Sequence, residues 1–396
     1  MCQDMVYTSI AKWWRSEAHP MPWKEASAMT LRREFVALSQ RSDTSVAELC
    51  RRFGISRTTG YKWLGRQAAQ EPLTDRSRRP HRSPRQTGGE VETRVVALRE
   101  QFPRWGGRKL ATILQREGFA PLAPSTITHI LRRHGLLWRP TEPVVTPWQR
   151  FEHAAPNDLW QMDFKGSVPV GTGRCDPLTV IDDHSRFNLV LAHNADMKGQ
   201  TVRHLLTGAF RCYGLPLRMN MDNGTPWGVG NGPARHLSTL SVWLVELGIH
   251  LSFSRPFHPQ TNGKDERFHR SLDVEVLRGR VFHHLGELGR ALDHWREIYN
   301  HVRPHEGIGM ATPAERYRIS PRAFPEHVAA FEYGPDDLKL QVDQRGRTRL
   351  LGRPLTVSSA LKSQTIAARP QDGRDGVYDL YFRHHWLDSV DLRDLD

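Results

Sequence analysis

The chain has 396 residues, a net charge of +13 and four cysteines. No apolar run approaches the ~20 residues that a membrane-spanning helix needs, so an integral helical membrane protein is excluded. Cys2, Cys50, Cys175 and Cys212 lie far apart with no C-x-x-C pair, which argues against a zinc ribbon or a disulfide framework and fits a reducing cytoplasm.

A chain of this length supports roughly two to four domains. Its charge is uneven: residues 1–150 carry a net +13, residues 151–330 +1 and residues 331–396 −1. A localised basic excess points to a polyanionic partner, although a merely soluble basic surface would give the same total.

Residues 1–20 show no pattern and read as a dispensable extension before Met21. Residues 21–66 hold helices joined by a tight turn. Ser45 and Glu48 form a capping box, Gly54 stops that helix, and Ser56 opens another that contains Gly60. This is helix-turn-helix spacing, with Arg57, Thr58, Thr59, Tyr61 and Lys62 toward the major groove; an ordinary helical hairpin is the bland alternative.

Residues 67–88 form a basic linker rich in Arg, Pro and Ser, and Arg76, Arg78 and Arg79 could lie along phosphates or a minor groove. Residues 89–136 repeat the helical theme. Helices are expected near 90–102 and after Trp105-Gly106-Gly107-Arg108-Lys109, and a third is expected with Ser125 as its cap. A second helix-turn-helix would offer Arg108, Lys109, Thr126, Thr128, Arg132 and Arg133 to DNA. Residues 137–157 read as a Pro-rich linker.

Residues 158–315 change character. Strands are expected at 159–164, 177–182, 187–192, 217–221 and 249–253, with helices at 199–212, 237–247, 262–277 and 285–300. Three strands, then helix, strand, helix, strand and helix is the order of a ribonuclease H-like α/β core. Residues 316–396 end in short β segments punctuated by Asp343-Gln344-Arg345-Gly346 and Asp372-Gly373, the pattern of a small β-barrel-like domain.

Three acids stand out. Asp163 and Asp222 each end an apolar β stretch, where sites gather in α/β sheets. Glu266 sits near the start of a helix whose Phe268, Leu272 and Val276 must pack inward. Three converging carboxylates would hold two Mg²⁺ or Mn²⁺ ions, the equipment for cutting and joining phosphodiester bonds. Any one alone could be a cap or a salt bridge. Asp182 and Asp183 point to opposite strand faces, and Asp183 with Ser185 and Arg186 reads as a turn network. Asp265 and Glu266 diverge by about 100° around a helix, so one of them joins the cluster. His283-His284 and His384-His385 lack ligand partners at metal spacing.

These frames, together with His258-Pro259-Gln260-Thr261-Asn262-Gly263-Lys264-Asp265-Glu266-Arg267-Phe268-His269 and Tyr299-Asn300-His301-Val302-Arg303-Pro304-His305, resemble the DDE transposases with a retroviral integrase-like core. The nearest likeness is to the IS481 branch of the IS3-like insertion-sequence transposases, and it covers the chain from Met21 onward. The resemblance implies Asp163, Asp222 and Glu266 as catalytic metal ligands, binding to terminal inverted repeats of double-stranded DNA, 3′-end cleavage and strand transfer, and action as a homo-oligomer in the bacterial cytoplasm. Lys264 and Arg270 would contact DNA beside the cluster.

Two departures stand in the sequence. The gap between Asp222 and Glu266 is 43 residues, longer than in typical IS3 relatives, with Gly228-Val229-Gly230-Asn231-Gly232 as the added loop. Seven positions after Glu266, where the family carries a basic residue, stands Asp273. Either Arg270 on the same helix face takes over that contact or strand binding is weaker. The alternatives are a catalytically idle, transposase-derived DNA-binding regulator, and a ribonuclease H for RNA–DNA hybrids, which would leave both helix-turn-helix units unexplained.

Overall fold

In a computed structural model, residues 27–41, 45–76, 87–137, 152–194, 196–222, 224–229, 236–253 and 263–394 are described. The chain divides into two compact units, residues 1–86 and 87–396.

The first unit is three helices, α1 (Ala28–Ser39), α2 (Val46–Arg52) and α3 (Arg57–Ala68). Ser45 accepts from the Glu48 N–H and Ser56 from the Thr59 N–H, so two orphan helix-start donors are satisfied by side chains. Phe35, Val36, Leu49, Cys50 and Trp63 form the core. Gly60 is required where α3 crosses it: a Cβ there would sit 2.5 Å from Cys50 Sγ and 3.0 Å from the Phe35 ring. Gly54, at φ +62°, turns the chain between α2 and α3.

The second unit begins with α4 (Gly89–Gln101), α5 (Gly107–Arg116) and α6 (Pro124–Arg133) around Val95, Leu98, Trp105, Leu110, Ile127 and Ile130. Ser125 does not cap α6. Ala123 holds the cap position and Pro124 opens the helix, where a missing N–H costs nothing.

The core follows with β1 (Leu159–Phe164), the hairpin β2 (Val168–Val170) and β3 (Gly173–Cys175), β4 (Leu178–Asp182), β5 (Asn188–Ala192), α7 (Gly199–Tyr213) and β6 (Arg218–Met221). The short ribbon β7 (Gly228–Val229) and β8 (His236–Leu237) comes next. Then come α8 (Thr239–Glu246), β9 (His250–Phe253), α9 (Gly263–Leu272), α10 (Leu285–Glu297) and α11 (Pro313–Arg316). Both α9 and α10 finish in π-helical segments, Asp273–Leu277 and Ile298–Val302.

The central sheet has the order β5-β4-β1-β6-β9, with β1 antiparallel to β4 and parallel to β6, and β6 parallel to β9. This mixed sheet is ribonuclease H-like. Strand alternation sorts its two faces. Trp160, Met162, Met219 and Met221 point toward α7 and α8, while Ile181 and Leu191 meet Phe268, Leu272, Leu288 and Trp295 of α9 and α10.

The C-terminal strands are β10 (Leu338–Gln341), β11 (Arg347–Leu350), β12 (Arg353–Thr356), β13 (Thr365–Pro370), β14 (Val377–Phe382) and β15 (His385–Asp391). They form an antiparallel sheet in the order β10-β13-β14-β15 and a separate β11–β12 ribbon. Their core is continuous with Leu237, Val242 and Val245 of the central domain. Residues ahead of β10 also pack on the central domain: Phe324 lies against its core, and Arg322 donates to the Leu247 and Gly248 carbonyls. Among the described residues, no helix is long and apolar enough to cross a membrane.

Candidate active site

The site is built by two strand ends and one helix start. In the parallel pairing Gln161 lies opposite Asn220, so continuing that register by two residues sets Asp163 level with Asp222 on the face opposite Met162 and Met221. Neighbouring strands are about 4.8 Å apart. Across that face runs α9, which lies against β1 and buries Phe268 and Leu272 with Ile181 and Leu191, and it brings Glu266 within the field of Asp163.

The electrostatics record this convergence. Burial pushes the Asp163 carboxyl up to about 6, and the carboxylates of Asp222 and Glu266 push it the same way, against the Phe164 N–H and Lys165. The three carboxylates named from the sequence therefore share one field. Among the described residues no three metal-binding side chains yet stand at ligand spacing. The donor set nonetheless fits a hard divalent cation: oxygen ligands only, mutually repelling, and short of positive charge. Magnesium or manganese would be held by Asp163, Asp222 and Glu266. Residues 254–262, which lead into α9 and include His258 to Asn262, lie outside the described residues.

Asp265 and Glu266 divide as the helix geometry requires. Asp265 takes the inward stripe with Phe268 and Leu272 and is 1 % exposed, whereas Glu266 is on the solvent side of α9. Neither Asp265 oxygen has a hydrogen-bond partner. Burial drives its carboxyl well above the usual range, and Asp163, Asp222 and Asp183 add to that. It is a buried acid in the field of Asp163, Asp222 and Asp183.

The Asp182-Asp183 pair is structural. Asp182 accepts from the N–H groups of Asn157 and Ser185 and from the Ser185 hydroxyl, and Asp183 accepts from the His153 N–H, the Gln161 amide and Lys264.

Sequence reasoning overlooked His269. Its Nε2 lies 2.8 Å from the Thr179 hydroxyl, which donates to the Asp163 carbonyl, and its Nδ1 lies 3.9 Å from Asp163 Oδ2. Burial lowers its pKa to about 4, so the ring is neutral, and it lies beside Asp163. The signal was available: His269 follows Glu266 by three residues, close to the same helix face. His269 is also where Thr179, an unremarkable strand residue, enters the site.

Several of the side chains expected to face DNA have partners within the protein. Lys264 is turned inward onto Asp183. Lys109 is half-buried against the core, its pKa lowered to about 7 by burial and by Arg303. Arg108 pairs with Glu306 at 3.1 Å, and Arg133 pairs back to Glu92 at 2.8 Å. The Thr128 hydroxyl bonds the Pro124 carbonyl beside Gly107, so it serves the α5–α6 crossing. Lys264, Arg108, Arg133 and Thr128 each have a partner inside the protein, although Arg108 stays exposed, and Lys109 is half-buried. Arg57, Thr58, Tyr61 and Lys62 remain on the exposed side of α3, while Thr59 bonds Ser56. Thr126 is half-buried, and Arg132 is exposed beside His129. Arg76 is exposed but paired with Glu71. Arg78 and Arg79 lie outside the described residues, as does residue range 1–20. Arg270 is exposed on α9, and Asp273 is paired with Arg278 at 2.9 Å, which answers its charge.

Comparison with known proteins agrees with this architecture. Two models described as integrase core domain match residues 153–259 and 247–313, spanning all three acids. A helix-turn-helix domain model matches residues 31–81 and a homeodomain-like model residues 59–131. The chain carries an integrase core behind helix-turn-helix domains.

The insertion element IS476 uncharacterized 39.2 kDa protein of Xanthomonas euvesicatoria is 28% identical over 57% of this chain and 64% of its own length. The insertion element IS407 uncharacterized 31.7 kDa protein of Burkholderia multivorans is 26% identical over 61% of this chain and 85% of its own length. Among solved structures, a simian T-cell lymphotropic virus intasome in complex with the PP2A regulatory subunit B56 gamma aligns over 75% of this chain and 99% of that chain. Its identity is 14% and its TM-score 0.36. The HTLV-2 integrase catalytic core domain in complex with magnesium aligns over 41% of this chain and 97% of that chain, at 16% identity and a TM-score of 0.30.

Proposed function

We propose that this protein is a DNA transposase of the IS481 branch, which binds the terminal inverted repeats of an insertion sequence, cleaves their 3′ ends and joins them to target DNA. The observation that carries the reading is the convergence of Asp163, Asp222 and Glu266 at one end of an integrase-core sheet. Asp163, Asp222 and Glu266 would hold two Mg²⁺ or Mn²⁺ ions. When bound, the pair activates water or a 3′-hydroxyl and stabilises the departing oxygen. The protein's own groups do the rest: His269 and Thr179 orient Asp163, and the exposed face of α3 supplies side chains for base edges. The C-terminal β domain adds DNA or subunit contacts, and the protein acts as a homo-oligomer on DNA.

Glu266→Gln tests this. The variant is expected to bind the element ends as the parent does and to yield no joined product in Mg²⁺. Undiminished joining would remove the assignment. An idle DNA-binding regulator is separated by the same assay, because its parent chain would bind the ends and join nothing.

A further inference from the structure

Beyond Asp163 the first core strand carries one more charged residue, Lys165. The pairing of β1 with β4 sets Asp163 opposite Thr179 and Phe164 opposite Leu178. It runs on past the end of β1, where the Lys165 N–H donates to the Pro177 carbonyl at 2.9 Å. Alternate residues of an extended chain share a face, so the Lys165 side chain leaves the sheet on the Asp163 side, about 7 Å further along. Gly166 follows at φ +85° and turns the backbone, and both Gly166 and Ser167 are exposed. Lys165 is therefore the last residue in line with Asp163 before the chain turns.

The charge of Lys165 is felt in the site. Burial and Asp222 raise the Asp163 carboxyl, and Lys165 pulls it down. Burial lowers His269 most, and Lys165 lowers it further. The ammonium thus acts on a residue of β1 and on a residue of α9. Lys165 is half-buried, and among the described residues its side chain makes no hydrogen bond or ion pair. Lys264, two residues before Glu266, differs, because it is committed to Asp183. A lysine drawn partly out of water near carboxylates, and bound to none of them, has lost hydration without gaining a partner in the protein. An anionic ligand supplies that partner.

The acids themselves say which anion. Three carboxylates repel any phosphate brought among them, so a strand that enters the site must meet positive charge in the same place. An ammonium on a flexible stem suits that task, since it is a compact charge with donors that rotate toward phosphate oxygens. We propose that Lys165 binds the phosphate of the DNA bond that faces Asp163, Asp222 and Glu266, and offsets the repulsion between that phosphate and the acids. Lys165 then touches substrate, and its side chain does nothing for the fold. The inference rests on the reading of the three acids as a DNA-cutting centre, and it adds the group that receives the charge of the strand.

The test uses the full chain without divalent metal, where only the protein offsets the acids and no strand is cut. Fluorescence anisotropy compares duplexes from an end of the element. One is unmodified, one carries a single uncharged methylphosphonate at the element's 3′-terminal bond, and one carries it far along the duplex. The ratio of affinities for the unmodified and the end-modified probe should fall roughly tenfold from the parent to Lys165→Met, the worth of one hydrogen bond to a charged group. Both proteins should bind the end-modified probe alike, which also reports an intact fold. Lys165→Arg should keep most of the parent's ratio, and the far modification should affect parent and Met variant equally. An unchanged ratio in Lys165→Met would overturn the proposal. So would a ratio that falls as much for the far modification, since Lys165 would then be a general surface charge. A parent whose ratio depends on Lys165 yet joins no DNA in Mg²⁺ leaves the phosphate contact assigned and removes the transposase reading. A parent that joins DNA while its ratio ignores Lys165 does the reverse.

Discussion

At the scale of single residues, Asp163 is poised by its neighbours more than by its own chemistry. Its carboxyl lies in the field of two others, and the neutral His269 imidazole stands 3.9 Å from it. Groups that orient a metal ligand typically contribute about 10–100-fold in metal affinity. His269→Ala is therefore expected to weaken Mn²⁺ binding, measured by titration calorimetry, by roughly tenfold or more, with His269→Asn recovering part of the loss. Unchanged affinity would remove His269 from the site. Asp163 and Asp222 stood out in the sequence because an acid that ends an apolar strand is unusual. His269 did not, since its role depends on Thr179 of a different strand. Asp265 shows the same limit. Helix periodicity separated it from Glu266, but only the packed sheet revealed that its carboxyl is buried with no hydrogen-bond partner.

At the scale of elements, the first helix-turn-helix depends on one close approach. Gly60 lets α3 settle against Cys50 and Phe35, and a methyl group there would overlap the Cys50 sulfur. Overpacking of this kind costs about 1–3 kcal/mol. Gly60→Ala should lower the thermal midpoint of this helical unit and weaken binding to the element ends, as read by limited proteolysis and anisotropy. A variant as resistant and as tight-binding as the parent would show that the crossing can relax. The sequence marked Gly60 only as an oddity within a helix. The helix itself was plain from Ser56 and its periodicity, because caps and stripes are local. The same locality explains why Leu159–Phe164 matched its expected bounds, while the π-helical ends of α9 and α10 went unseen. Those ends bring Glu275 to Arg303, a pairing between distant parts of the chain.

At the scale of the whole molecule, the second helical module is packed on the core within one compact unit. Arg108 reaches Glu306, Arg116 reaches Glu315, Ile298 joins the module's apolar core, and Lys109 is half-buried in the seam. Lys109 has a folded pKa of about 7, below its ordinary 10.5. Between these values the unfolded chain binds more protons at this site than the folded one, so stability rises with pH across that window. Lys109→Met removes the cost of burying the charge. At pH 7 its thermal midpoint is expected to exceed the parent's by roughly 3 °C or more, and the gap should narrow by pH 9. Parallel pH dependence in the two proteins would show that Lys109 is not responsible.

The sequence by itself determined the order of modules and most of the helices and strands, and it singled out the acids proposed for the site. These follow from periodicity, caps and composition, which act within a few residues. The tertiary structure alone decided which cations face outward. Lys109, Lys264, Arg108 and Arg133 look like DNA contacts in a basic sequence, and each turns to a carboxylate or a buried seam that the chain supplies from elsewhere. A long cationic side chain goes to whichever acceptor the fold brings within reach, and that depends on residues far away in sequence.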